Sequence, residues 1–176
     1  MFVLGVDPGV SRCGYCVLRV AGDGASFRDP VAVALGVIST PPGDPLPERL
    51  AELQADFRAL IAEHRPQVVA IERVLFQVNI QTAMSVGQAS GVVMAEAATA
   101  GAQVIEYSPN QVKEAVAGFG AADKEQVQEM VQTLLKLAAP PRPADAADAA
   151  AVALCHVAHA GSAGLIPPGA ATGAHR

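Results

Sequence analysis

Two apolar runs in this chain each end on a single acidic residue. The run "FVLGVD" ends at Asp7, and "QVVAIE" ends at Glu72. Runs of Val, Leu and Ile of this length are typical of buried strands. An ionised carboxylate at the end of a buried strand is costly unless hydrogen-bond donors or a cation meet it. Asp7 therefore either starts the turn that Asp-Pro-Gly favours or faces a positive charge. The segment around Asp7 does not by itself distinguish these two interpretations.

The remaining pattern predicts an α/β fold with a mixed five-stranded sheet and helices on both faces. The first three strands are joined by short turns, which favours antiparallel neighbours. The later strands alternate with helices, so the fourth strand can lie parallel to the first, with Asp7 and Glu72 side by side. The predicted strands are 2–7, 13–20, 31–40, 67–74 and 102–107. The predicted helices are 46–65, 80–100, 109 onward behind an N-cap at Ser108, 123–137 with Asp123 as its cap, and 144–160.

Length and composition predict one domain, spanning 1–160, followed by a flexible Gly-, Pro- and Ala-rich tail at 161–176. Hydrophobic residues make up 51% of the chain, which excludes a mostly disordered protein. No segment approaches the roughly 18 unbroken apolar residues of a membrane span, and no signal peptide is evident. Three cysteines do not make a disulfide framework. We therefore expect a soluble cytoplasmic protein with no membrane association.

A second pair of acids opens the last predicted helix, in "ADAADAAAV". Asp145 and Asp148 are three residues apart, so they share one face of that helix. They also lie near its positive end, and compensation of the helix dipole alone would explain them. That explanation weakens when both pairs are considered, because two strand-end acids and two acids on one helical face are hard to attribute to solvation.

Four carboxylates without nearby His or Cys suit Mg²⁺ or Mn²⁺ rather than Zn²⁺. Two such ions about 4 Å apart clamp the attacking and leaving oxygens of a phosphodiester in line, so the pattern predicts a metal-dependent nuclease. The net charge of −5 argues, at face value, against a nucleic-acid partner. Bound divalent cations would reverse that sign locally, which weakens the objection.

Five segments, in chain order from Phe2 to about Val157, carry a family pattern: "GVDPG", "AIE", "GQASG", "QVKEAVAGFGAADKEQVQEMVQTLLKL" and "ADAADAAAVALCH". They resemble the RuvC family of Holliday-junction resolvases, or crossover junction endodeoxyribonucleases. The resemblance implies a ribonuclease H-like fold and a homodimer that makes paired symmetric nicks in four-way DNA junctions during homologous recombination and DNA repair. It also implies two Mg²⁺ or Mn²⁺ ions per active site and a RuvAB branch-migration motor as partner. It maps the metal ligands and catalytic acids onto Asp7, Glu72, Asp145 and Asp148.

The resemblance further assigns catalytic and DNA-binding roles to Lys113 and Lys124. Each would also fit a solvated surface lysine, the commonest fate of this residue. Lys124 follows Asp123 in the first turn of a predicted helix, where backbone N–H groups favour phosphate. Both lysines lie in the long matching segment, so we expect them to contact phosphate.

After Glu72 the segment "RVLFQVNIQ" departs from the family pattern. The family carries an aromatic residue here that stacks on unpaired bases near the crossover. In this chain the residue in question is Phe76 or Leu75, and a core phenylalanine is an equally good interpretation of Phe76. We expect further DNA contact from Arg73.

Several other patterns invite a function that the context does not support. Cys13 and Cys16 form a C-x-x-C motif, but strand residues three apart face opposite sides and no further ligands complete a zinc site. We interpret them as core residues, and His156 and His159 as structural.

The motif Gly87-x-x-x-Gly91 allows close helix approach, either within the chain or across the dimer that the resemblance implies.

Three other functional classes fit part of this pattern. An actin-like ATPase shares the acid-glycine turn but requires a second phosphate loop and a second similar domain. A non-catalytic junction binder gains nothing from four carboxylates beside phosphates. A related nuclease that processes ribosomal RNA ends shares the fold, but the "QVK" segment favours the resolvase.

Overall fold

The structure, a computed structural model of the 176-residue chain, describes residues 1–22, 28–74 and 80–163. Within these ranges strands come first and then alternate with helices. The strands are β1 (Phe2–Asp7), β2 (Arg12–Ala21), β3 (Arg28–Ser39), β4 (Val68–Glu72) and β5 (Gln103–Tyr107). The helices are α1 (Leu46–His64), α2 (Ile80–Thr99), α3 (Pro109–Ala117), α4 (Lys124–Leu134) and α5 (Ala144–Ala163).

The five strands form one mixed sheet in the order β3-β2-β1-β4-β5. β2 pairs antiparallel with both β1 and β3, whereas β4 lies parallel to β1 and to β5. Val6 is the register partner of Ile71, so β1 and β4 end at the same edge of the sheet. The predicted fold class and the predicted parallel pairing of the first and fourth strands are confirmed.

Helices cover both faces of this sheet. One core contains Leu4 and Val6 of β1 together with residues of α1 and α2. The opposite core contains Val3 and residues of α3, α4 and α5. Cys13 lies in the first core and Cys16 in the second, so the two thiols face opposite sides of β2, as strand alternation requires. Burial raises the pKa of each thiol to about 12, and both cysteines are free.

Side-chain caps define where α3 and α4 begin. Ser108 accepts a hydrogen bond from the Gln111 backbone N–H, and the Gln111 side chain accepts one from the Ser108 backbone N–H. Asp123 and Gln126 form the same reciprocal box before α4. Such boxes satisfy backbone N–H groups that a helix start otherwise leaves without partners. The two predicted lysines are therefore carried by helices whose first turns are well defined.

Three element ends differ from the predicted bounds by three residues, and the others that differ do so by one or two. β3 begins at Arg28 rather than 31, because Arg28 still pairs with Ala21 of β2. α4 ends at Leu134 rather than 137, because Lys136 has a φ of 52°, which is incompatible with a continuing right-handed helix. α5 continues to Ala163, past the predicted end at 160. The rest of the predicted tail, residues 164–176, lies outside the described residues.

Among the helices of the described ranges, none combines the length and apolarity that crossing a membrane requires.

Candidate active site

Asp7 and Glu72 close the two central parallel strands at the same edge of the sheet. The register pair Val6–Ile71 precedes them directly, so the two acids are neighbours. Because successive strand residues alternate faces, both follow a residue of the α1/α2 core and point toward α5. The Arg73 backbone N–H donates to the Tyr107 carbonyl oxygen at 2.8 Å, which extends the β4–β5 pairing past Glu72.

The N-terminal turn of α5 reaches this edge because two glycines let the helix approach the sheet closely. A Cβ atom on Gly5 of β1 would overlap with the Ala149 carbonyl oxygen. A Cβ atom on Gly14 of β2 would overlap with the Asp145 carbonyl oxygen. Backbone-to-backbone contact of this kind leaves no room for any side chain. It places the start of α5, with Asp145 and Asp148, over the ends of β1 and β2.

A cavity of about 390 Å³ lies where α5, α3 and α4 meet this edge of the sheet. Three predicted carboxylates line it, those of Asp7, Glu72 and Asp148. The predicted lysines, Lys113 from α3 and Lys124 from α4, line it as well. The structure thus brings five of the six predicted catalytic side chains to one cavity, with acids and bases on adjoining walls.

Two cations pair with the acids of α5. Lys124 Nζ lies 2.6 Å from Asp148 Oδ2, inside the cavity. Arg12 Nη2 lies 2.7 Å from Asp145 Oδ2, and Arg12 Nε donates to the same oxygen at 3.0 Å. The sixth predicted catalytic side chain, Asp145, is therefore engaged at the start of β2 and is not among the residues that line the cavity.

The remaining negative charge is concentrated on the strand ends. Burial, reinforced by the carboxylates of Glu72, Asp148 and Asp145, raises the pKa of Asp7 to about 7, against a smaller opposing effect of Lys124. Burial and the Asp148 charge also raise the pKa of Glu72, while Lys124 and Lys113 lower it. A hydrogen bond to Asp148 raises the pKa of Lys124. Two lysines therefore do not neutralise the acids, and the cavity favours further positive charge.

The donor set fits hard divalent cations, because it consists of carboxylate oxygens on an uncompensated acidic wall. In the described part of the chain, however, no three potential ligands already converge on one point. Two of the four acids are engaged in ion pairs instead, Asp148 with Lys124 and Asp145 with Arg12. Asp7, Glu72 and Asp148 would hold a metal ion in the cavity, and Asp145 would join them by rotating its side chain.

The sequence model of the family described as "Crossover junction endodeoxyribonuclease RuvC" matches residues 3–156. A relative of that name from Salinispora arenicola is 49% identical over 146 residues, which cover 83% of this chain and 81% of the relative. Another, from Rhodococcus opacus, is 51% identical over 146 residues, covering 83% of this chain and 75% of the relative. The chain belongs to the RuvC family.

Solved structures of this family share the fold. Thermus thermophilus RuvC has a TM-score of 0.83 and 39% identity, with coverage of 93% of this chain and 97% of that one. T. thermophilus RuvC in complex with Holliday junction substrate has a TM-score of 0.85 and 37% identity over the same shares of the two chains. The family resemblance and the fold that it implied are confirmed, and the actin-like ATPase interpretation is set aside.

Three of the five predicted DNA contacts of this RuvC-family chain belong to described residues. Lys113 and Lys124 line the cavity. Arg73 is exposed just past Glu72. Leu75 and Phe76, the alternatives for base stacking, lie outside the described residues.

Sequence reasoning missed the residues that position the acids. Gly5 and Gly14 lie within "LGVDPG" and "CGYC", yet only the packing of α5 shows that both must lack a side chain. Arg12 was missed as the partner of Asp145. The available signals were a glycine inside each of two apolar strands, which often marks close backbone approach, and a basic residue five places after Asp7.

Proposed function

We propose that this chain is a metal-dependent endonuclease that resolves four-way DNA junctions by paired symmetric nicks, acting on cytoplasmic DNA in recombination and repair. One observation carries the proposal: three carboxylates and two lysines line a single cavity at the ends of β1 and β4. Family membership supports the reaction class, and the related Thermus chain bound to a Holliday junction substrate supports the choice of DNA.

The carboxylates of Asp7, Glu72, Asp145 and Asp148 are the proposed ligands of two Mg²⁺ or Mn²⁺ ions. Bound there, such ions supply a clamp on the attacking and leaving oxygens of the phosphodiester. The chain's own contribution is to hold acids from three separate elements within one cavity. Burial of Asp7 keeps that carboxylate poorly solvated, which strengthens its attraction to a cation.

The lysine-bearing wall of the cavity, which adjoins the acids, is the proposed contact with the DNA backbone. Lys124 lies in the first turn of α4, where N–H groups and the helix dipole also favour phosphate. Lys113 faces the cavity from α3. Phosphate contacts position a strand without reading its sequence. We propose that Arg73 and either Leu75 or Phe76, which follow Glu72 directly in the chain, contribute the contacts near the crossover.

The proposed working unit is a homodimer, with a RuvAB branch-migration motor as its partner. A junction has two strands of like polarity to cut, and a two-fold assembly offers one equivalent cavity to each. Gly87 and Gly91 on α2 support this, because a Cβ atom at either position meets no described atom within 4 Å. The helix therefore has room there for a close neighbour. Co-elution of this chain with the RuvAB motor on a junction tests that partner.

The function is tested by incubating the protein with a synthetic four-way junction and with a linear duplex of the same sequence, in Mg²⁺, Mn²⁺ or EDTA. We expect paired nicks in the junction only, and only with metal. Asp7→Asn should abolish cutting, because it removes one negative ligand of the proposed ions, while junction affinity should hold or rise with the loss of a charge that repels DNA.

Asp56→Asn is the matched control, because it makes the same chemical change at an exposed acid on α1, away from the cavity. It should cut at the wild-type rate. Cutting by pure Asp7→Asn, or equal cutting of junction and duplex, would contradict the proposal. Binding without any cutting by the wild type would instead favour a non-catalytic junction binder.

A further inference from the structure

The ion pair between Arg12 and Asp145 joins a residue without an assigned role to a proposed metal ligand. Two guanidinium nitrogens of Arg12 meet the same carboxylate oxygen, at 2.7 Å and 3.0 Å. The side chains remain 51% and 30% exposed. Water therefore reaches the pair, and exposed pairs of this kind exchange partners at small cost.

The ion pair explains why Asp145 is the one proposed metal ligand that does not line the cavity. Asp7, Glu72 and Asp148 line the cavity, whereas Asp145 does not. Asp145 nevertheless remains close enough to raise the pKa of Asp7 through its charge. Its carboxylate is thus held at the β2 side of the site by Arg12 and is within electrostatic reach of the other acids.

The backbones of both partners are fixed, so that only side chains are free to rearrange. Asp145 packs against Gly14 without space for a Cβ atom. The turn before Arg12 is held by Arg49, whose Nε donates to Thr40 Oγ1 at 3.0 Å and whose Nη2 donates to Ser11 Oγ. Thr40 Oγ1 donates in turn to the Val10 carbonyl oxygen at 2.7 Å. An exchange of partners at Asp145 therefore requires rotation of side chains alone.

We propose that Arg12 is a built-in counter-ion that competes with a divalent cation for Asp145. Without metal, the guanidinium neutralises Asp145 and keeps it from the other three acids. Metal entry replaces one cation by another at the same carboxylate, and Arg12 moves to solvent. Arg12 is thus a positioning residue that sets the affinity of the site for metal. The inference rests on the metal site proposed above.

The test is calorimetric titration of the DNA-free protein with Mn²⁺, which excludes any effect of Arg12 on DNA. Arg12→Gln should bind Mn²⁺ about two- to fivefold more tightly than the wild type, the range that an exposed ion pair supports. Arg12→Lys keeps the charge but loses the second contact, so its affinity should lie between the two. In an Asp145→Asn background, Arg12→Gln should change nothing, because the competition is gone.

Arg19→Gln is the matched control, because Arg19 is exposed at the other end of β2 and its loss changes the net charge equally. It should leave Mn²⁺ affinity unchanged. Unchanged or weaker binding by Arg12→Gln, with normal wild-type binding and an unaltered unfolding midpoint, would overturn this inference alone. If Arg12→Gln fails to fold, the test falls to Arg12→Lys. Mn²⁺ binding by Arg12→Lys that is no tighter than that of the wild type would then overturn the inference. Absence of Mn²⁺ binding by the wild type would overturn the metal site and this inference together.

Discussion

The Asp7 carboxylate lies next to Glu72 and within the field of both α5 acids, and its environment raises its pKa from 3.8 to about 7. At pH values between these two pKa values, Asp7 keeps its proton in the metal-free folded state but has lost it in the unfolded chain. The folded state therefore binds more protons, and its stability falls as the pH rises from about 4 to about 7. A divalent cation would reverse this cost by favouring the ionised form.

We predict that Asp7→Asn stabilises the metal-free protein above pH 7 and has no such effect near pH 4. The amide never ionises, so the variant avoids the cost, and the difference should be on the order of 1–4 kcal/mol. Urea unfolding in EDTA across this pH range measures it. Added Mn²⁺ should stabilise the wild type more than the variant. A constant difference between the two proteins at all pH values would contradict the assignment.

At the scale of elements, the contact of α5 with β1 and β2 decides where the third and fourth acids lie. α5 begins after Pro143, and its Ala-rich sequence keeps the face toward the sheet thin. Gly5 and Gly14 have no side chain on the sheet surface at the positions that α5 contacts. Small residues on both sides allow the close approach that carries the Asp145 backbone to β2.

We predict that Gly14→Ala moves the start of α5 and lowers stability by about 1–3 kcal/mol, because the new methyl group overlaps with backbone that cannot rotate away. Junction cleavage should fall by more than stability explains, since Asp145 and Asp148 shift with the helix. Urea unfolding and cleavage of the folded fraction measure the two effects. Gly43→Ala is the control, because a Cβ atom there meets nothing within 4 Å. Full cleavage by Gly14→Ala would show that the close approach is dispensable.

At the scale of the whole molecule, the sheet separates two cores, and the helices on its two sides are proposed to have different roles. The α3/α4/α5 side carries the cavity, whereas α2 on the other side presents Met84, which is 58% exposed, and Gly91 to solvent. An apolar, small-residue helix face on the side away from the cavity would leave the cavity accessible in the proposed dimer through α2.

We predict that Gly87→Leu weakens self-association and converts paired nicks into slower single nicks. Leucine at this position would hold two helices apart, while within one copy a Cβ atom at Gly87 meets no described atom within 4 Å. Sedimentation at micromolar concentration and the ratio of single to paired nicks measure the effect. Ala55→Leu adds similar bulk on the exposed face of α1 and should change neither. A monomeric wild type that makes full paired nicks would contradict the dimer.

Much of this architecture could be predicted from local sequence. The strand β1 begins and ends where its apolar run and the Asp-Pro-Gly turn predict. The caps at Ser108 and Asp123 also lie where predicted. The helical crossover before the fourth strand allowed the parallel pairing of β1 and β4, which places Asp7 beside Glu72. Each of these depends on a few adjacent residues, or on chain connectivity, which a sequence displays directly.

The tertiary structure alone decided which cation meets which acid. Arg12 and Asp145 are 133 positions apart, and nothing in either local pattern links them. The predicted helix end at 160 put His156 near a C-terminus, where a charged imidazole is favoured, but α5 continues to Ala163 and burial lowers the pKa of His156. Apolar periodicity and turn residues report the local backbone. Ion pairs, burial and close backbone approach arise when distant segments pack, so they depend on three-dimensional proximity that local patterns do not encode.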